Sequence, residues 1–164
     1  MKVEQVENYI INPVLDACAQ IEPRMRSNSI KQLLLGTMAQ ESAFGLYSRQ
    51  VGGGPALGPF QIEPATEKWL REDYLARKPK LKNIASLLLH DAPRDDEYYN
   101  VQLETNWRYG AFMARIRYWV VPDPLPDQLE GWAEYWDKHY NANPNHGFPE
   151  DFIKAYNKYV MNMS

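Results

Sequence analysis

The sequence predicts a mainly α fold carrying one small glycine-rich hairpin or loop lobe. Apolar residues recur at three- and four-residue spacing through most of the chain, and proline and glycine cut that pattern into helix-sized pieces. The stretch Gly52-Gly53-Gly54-Pro55-Ala56-Leu57-Gly58 stands apart, too rich in glycine to hold a helix. With 164 residues and no internal repeat, the chain suits one domain over 1–164 that buries roughly two-thirds of its unfolded surface.

Val3, Val6, Ile10, Val14 and Cys18 mark a first helix that Pro13 should kink or split, because proline lacks an amide hydrogen. Ser27-Asn28-Ser29 offers an N-cap to a second, whose buried stripe is Ile30, Leu33, Leu34 and Met38 and whose end falls near Phe44-Gly45. The lobe follows from Gly45 to Glu63. Pro64 then opens a third helix. A short helix is expected around Ile84 to Leu89. After the acidic start Asp95-Asp96-Glu97, the residues Tyr99, Leu103, Asn106, Gly110, Met113 and Val120 predict one long helix. Pro122-Asp123-Pro124-Leu125-Pro126 stops it. A helix carrying Leu129, Trp132, Ala133 and Trp136 and a last one from Pro149 carrying Phe152, Tyr156, Tyr159 and Val160 complete the chain.

Composition narrows function. Lys and Arg total 18 against 21 Asp and Glu, a net charge of −3 with a pI of about 5.6, so no nucleic-acid partner is expected. The basic run Arg77-Lys78-Pro79-Lys80-Leu81-Lys82 reads as a solvated loop between helices. No segment approaches the ~20 apolar residues of a membrane span, so no membrane insertion is expected. Met1 to Glu7 carries charges where a secretion signal needs an apolar run, so no signal peptide is expected either. Cys18 has no partner for a disulfide and reads as a small buried hydrophobe. His90, His139 and His146 lack metal-ligand spacing, and neither a metal nor another cofactor is expected. The 11 Tyr and 5 Trp exceed what so small a core needs and suit a wet binding cleft.

Glu41 is the first candidate for chemistry. It follows Leu34 by seven positions and Met38 by three, on the buried face of its own helix. Burial and a helix C-terminus both disfavour the carboxylate, so its pKa should rise and the group could donate a proton near neutrality. The alternative at this point is a glutamate that reaches round to solvent or caps a turn.

Wider wording tips that balance. Glu41-Ser42-Ala43-Phe44 followed by Gly58-Pro59-Phe60-Gln61-Ile62-Glu63-Pro64-Ala65-Thr66 resembles the signature of the soluble-type lytic transglycosylases, which have a lysozyme-like fold. Asn106 with Gly110, and Tyr140-Asn141-Ala142-Asn143-Pro144, are similar to later segments of that family and fall in the same order. The glycine stretch and Trp136-Asp137-Lys138-His139-Tyr140-Asn141 also resemble a lysozyme-like group found in tailed-phage genomes.

The resemblance implies an enzyme whose substrate and partner is the peptidoglycan glycan strand, with virion proteins as further partners. Glu41 would protonate the oxygen between N-acetylmuramic acid and N-acetylglucosamine, then deprotonate the muramoyl 6-hydroxyl to leave a 1,6-anhydro end. It assigns Ser42, Gly58, Phe60, Gln61, Ile62, Tyr140 and Asn141 to substrate binding. Tyr140 would reach toward Glu41, and Tyr47, Phe60 and Tyr140 would stack on sugars, while Trp132, Trp136 and Tyr156 keep the spacing of core residues. A phage protein of this kind would be made in the host cytoplasm and reach the wall through a holin or within the virion.

Three positions depart from the family pattern. Pro59 and Asn143 replace residues with freer backbones, which favours a rival reading: a virion structural or adaptor protein that keeps the fold, binds glycan or protein, and catalyses nothing. Glu63 stands where the family has an apolar or small residue. As a second carboxylate it could position a water and make the enzyme a hydrolase of lysozyme type; otherwise it interacts with the dipole of the following helix.

Overall fold

Proline shows at once how this chain builds its helices. In the computed structural model, which describes residues 2–89, 94–141 and 147–162, α1 (Val3–Val6) and α2 (Asn12–Ile21) are joined by a widened π turn, Glu7–Ile11. The interruption expected at Pro13 takes this form. Having no N–H, Pro13 leaves the Tyr9 carbonyl without its helical partner, and Arg108 Nε donates to that carbonyl at 2.8 Å. Cys18 is buried, and burial pushes its thiol up to about 11 against the opposing charge of Arg115.

The central element is α3 (Asn28–Ser42), which packs against three later helices of the chain. Ser27 caps it, its Oγ accepting from the Ile30 amide at 3.2 Å. Every residue from Leu33 to Ala39 is buried, as only a helix enclosed on all sides can be. The helix ends at Ser42, slightly before the expected Phe44-Gly45, and Ala43, Phe44 and Gly45 reverse the chain with φ values of 50°, 61° and 82°. For the two non-glycine residues that conformation costs on the order of 1 kcal/mol each.

Pro64 opens α4 (Pro64–Trp69) as expected. Helix α5 (Pro79–Leu88) starts earlier than the predicted Ile84, because Pro79 suits a first helical position and Leu81 already buries. Four of the six residues of the basic run, Pro79 to Lys82, therefore lie in a helix and not a loop, although Lys78, Lys80 and Lys82 are exposed. The predicted long helix is two, α6 (Asp96–Thr105) and α7 (Trp107–Trp119). Asn106 breaks it by leaving helical geometry to cap α7: its Oδ1 accepts from the Tyr109 amide at 3.1 Å. Its Nδ2 donates to the Leu88 carbonyl and to Gln102, each at 2.8 Å, so one asparagine joins α5, α6 and α7.

After the proline segment come α8 (Leu129–His139) and α9 (Pro149–Tyr156), the latter extended by a π turn, Asn157–Met161. Helices α8 and α9 pack on each other and on α3. A Cβ at Gly36 would lie 2.1 Å from the Phe152 ring, so this glycine lets α9 approach α3. The fold is mainly helical, and among the described residues no helix is long and apolar enough to cross a membrane. His90, His146 and the segment Ala142-Asn143-Pro144 lie outside the described residues.

Candidate functional site

The lobe between α3 and α4 contains two isolated antiparallel bridges, Arg49 with Leu57 and Leu57 with Ile62. Its inner edge is fixed to the helices mainly through backbone carbonyls. Ser42 Oγ donates to the Pro59 carbonyl at 2.7 Å and accepts from the Gly45 amide at 2.8 Å; the Tyr140 hydroxyl donates to the Phe60 carbonyl at 2.7 Å. Arg49 grips Glu104 of α6 with two hydrogen bonds, 2.7 and 3.1 Å. Gly58, at φ 74°, lies so close to α6 that a Cβ would fall 1.9 Å from the Leu103 carbonyl oxygen. Only glycine fits there.

Between this lobe and the helices opens a cleft of about 750 Å³. Its walls include Glu41 at the end of α3, Arg117 of α7, Trp136 of α8, and Tyr140 and Asn141 just beyond α8. The lobe contributes Gln50, Gln61 and Glu63. Carboxamides are prominent, Gln40, Gln50, Gln61 and Asn141, and each offers both donors and an acceptor. Gln61 adopts φ 45° and donates through Nε2 to the Gly58 carbonyl at 2.8 Å. That strained conformation is held by the turn it closes, with the Gln61 amide also donating to Gly58 at 3.0 Å.

Glu41 is mostly withdrawn from solvent at the α3 end of the cleft. Burial pushes its pKa up to about 7, opposed by the Trp136 indole and by the positive charge of Arg117. Trp136 Nε1 donates to Glu41 Oε1 at 2.8 Å. Arg117 stacks its guanidinium 4.0 Å over the Tyr140 ring and donates from Nη2 to the Tyr140 carbonyl at 2.6 Å. A carboxyl that titrates near neutrality can give up a proton and take one back within one reaction cycle. Among the described residues, no three His, Cys, Asp or Glu side chains converge to hold a metal ion.

The structure brings Glu41, Gln61, Glu63, Tyr140 and Asn141 to one cleft and separates the other expected site residues from it. Ser42 is fully buried and its hydroxyl is taken up by protein partners, so it fastens the lobe and cannot meet a sugar. Gly58 is packed on α6. Phe60 is 1% exposed and its carbonyl is occupied; the ring lies against Gly110, not in the cleft. Ile62 is buried, and its backbone exchanges two 3.0 Å hydrogen bonds with Leu57. Tyr140 spends its hydroxyl on Phe60, not on Glu41, and Tyr47 is exposed away from the cleft walls.

Trp132 and Tyr156 are buried as their spacing predicts. Trp136 is buried too, yet it serves the site by its indole edge, and apolar periodicity carries no signal for that. Arg117 also escapes sequence reading. A clue exists only at the end of α8, where Trp136 and the capping Tyr140 stand four apart and so lie on one side of the chain.

The fold and cleft together define a helical protein with a neutral-titrating carboxyl in a polar groove. Compared with known proteins, the chain matches no family model, no curated protein and no solved structure.

Proposed function

We propose that this chain is a peptidoglycan-cleaving glycosidase of phage type, a lytic transglycosylase or muramidase on a lysozyme-like fold, with Glu41 as its general acid and base. One observation carries the reading: the carboxyl that the motif resemblance singles out is the one whose pKa is raised to about 7 at the wall of an open polar cleft. In the protonated form Glu41 delivers its proton to the glycosidic oxygen as the bond from the muramoyl C1 breaks. The neighbouring 2-acetamido group stabilises the positive charge at C1. The carboxylate then removes the proton of the 6-hydroxyl as the new C1–O6 bond forms, and no water is consumed. In the hydrolytic version Glu63, on the same cleft, positions a water that attacks C1 instead. The carboxamide lining suits neutral sugars, whose hydroxyl and acetamido groups need donors and acceptors but no charge.

Digestion of purified peptidoglycan by wild type and by Glu41→Gln tests this, with the products weighed by mass spectrometry. Wild type should release muropeptides, and Glu41→Gln should lose about 10³-fold in rate. Anhydro ends identify the transglycosylase; reducing ends that vanish in Glu63→Gln identify the hydrolase. Undiminished cleavage by Glu41→Gln removes the proposal. The second reading, a catalytically silent virion structural or adaptor protein with this fold, draws on Tyr140: its hydroxyl is turned to the Phe60 carbonyl and not to the carboxyl it would assist. Binding to sacculi with no soluble product decides for that reading.

A further inference from the structure

Among the described residues, one neutral side chain donates a hydrogen bond to Glu41, and that donor cannot change its role. An indole has an N–H and no acceptor, so in the 2.8 Å contact with Trp136 the Oε1 atom of Glu41 always accepts. A proton placed on Oε1 would compete with the indole hydrogen for that oxygen. Trp136 is also immobile: it is 2% exposed, and its ring packs 5.6 Å from that of Phe152 on α9.

Among the described residues, the Arg117, Tyr118 and Tyr140 side chains feel the Glu41 charge, and each is engaged elsewhere. From α7, Arg117 is held on Tyr140 by stacking and by its 2.6 Å hydrogen bond, and Tyr118 shares a 2.7 Å hydrogen bond with Thr37. Beyond α8, Tyr140 donates to the Phe60 carbonyl. Glu63 shares the cleft from the lobe.

We propose that Trp136 is the positioning residue of Glu41: its indole fixes Oε1 as an acceptor and so confines the ionisable proton to Oε2. The side chain then presents one defined acidic oxygen instead of two interchangeable ones. Trp136 also stabilises the carboxylate form, because an N–H donor favours charge on its acceptor. The placement of the proton stands whatever the cleft binds; its use in bond cleavage rests on the glycosidase reading above.

The test uses the full chain labelled with ¹⁵N and with ¹³C at the glutamate carboxyls. In wild type one tryptophan indole resonance should follow pH with a midpoint of about 7, and it should neither move in Glu41→Gln nor be present in Trp136→Phe. Trp136→Phe keeps an aromatic ring in the core and removes the donor, so the Glu41 carboxyl carbon should titrate about one pH unit higher. The alkaline limb of the kcat profile, where the acid is lost, should move up by the same amount while KM changes less than about twofold. A purely structural tryptophan would leave both midpoints in place. An indole resonance indifferent to Glu41, or an unshifted carboxyl in Trp136→Phe, overturns the proposal. Should Trp136→Phe not fold, the wild type and Glu41→Gln indole titrations decide alone. A wild type that cleaves nothing yet shows the linked titration supports the positioning and removes only the glycosidase reading.

Discussion

Two glutamates withdrawn from solvent stand in opposite situations. Glu67 on α4 is 2% exposed and surrounded by donors: the Tyr109 hydroxyl donates to its Oε1 at 2.6 Å and Arg71 Nε at 2.9 Å. That guanidinium lies in turn 3.7 Å over the Tyr99 ring and donates to Glu72 at 2.9 Å. Glu41 has a neutral N–H, a cation engaged elsewhere, and a cleft beside it. A buried carboxylate given full compensation is a strut; one given partial compensation is an acid in reserve. Removing charge should therefore have opposite effects at the two positions.

Glu67→Ala should cost the most, about 4 kcal/mol in urea unfolding at pH 7, since it removes the buried member of an ion pair, orphans the Tyr109 hydroxyl and leaves Arg71 to its exposed partners Glu72 and Asp96. At Glu41 the sign reverses and depends on pH. Its folded pKa of about 7 lies above the ordinary 4.5, so the folded state holds a proton that the unfolded state gives up. Below about pH 4.5 both states are protonated and nothing is lost; between 4.5 and 7 stability falls as pH rises; above 7 the penalty levels off at about 3 kcal/mol. Glu41→Gln, neutral throughout and still able to accept from Trp136, should match wild type at pH 4 and exceed it by up to about 3 kcal/mol at pH 8. A variant less stable than wild type at pH 8 would place Glu41 with Glu67 among the struts.

How far these roles can be read from sequence follows from what spacing encodes. The helices with long apolar stripes, α3, α8 and α9, lie where their periodicity puts them, and Glu41 is found because Leu34 and Met38 fix its face. Asn106 shows the limit: an apolar stripe continues across a one-residue cap, so α6 and α7 read as one helix. Within the motif Gly58 to Glu63, the chain supplies the residues but not their direction. Phe60 and Ile62 turn inward and Gln61 and Glu63 reach the cleft because the turn is closed by Gln61 at positive φ. The donor to Glu41 is ninety-five positions away, a pairing no local pattern contains, and Glu67 reads as an ordinary acidic residue in a first helical turn.

The smallest expected effect is at Tyr109, and it tests how the strut is shared. Tyr109→Phe keeps the ring against Tyr99, 6.5 Å between centroids, and removes only the hydroxyl, leaving Glu67 with Arg71. One hydrogen bond to a charged acceptor is worth about 1.5 kcal/mol, and the loss should be of that size because a donor remains. In a Glu67→Gln background the same substitution should cost less, since a neutral acceptor gains less from the hydroxyl. The difference between the two costs, about 1 kcal/mol, is the coupling a double-mutant cycle reads. Equal costs in both backgrounds would mean that the charge of Glu67 is balanced by Arg71 alone, and the site around Glu67 would then resemble Glu41, one carboxyl with one effective partner.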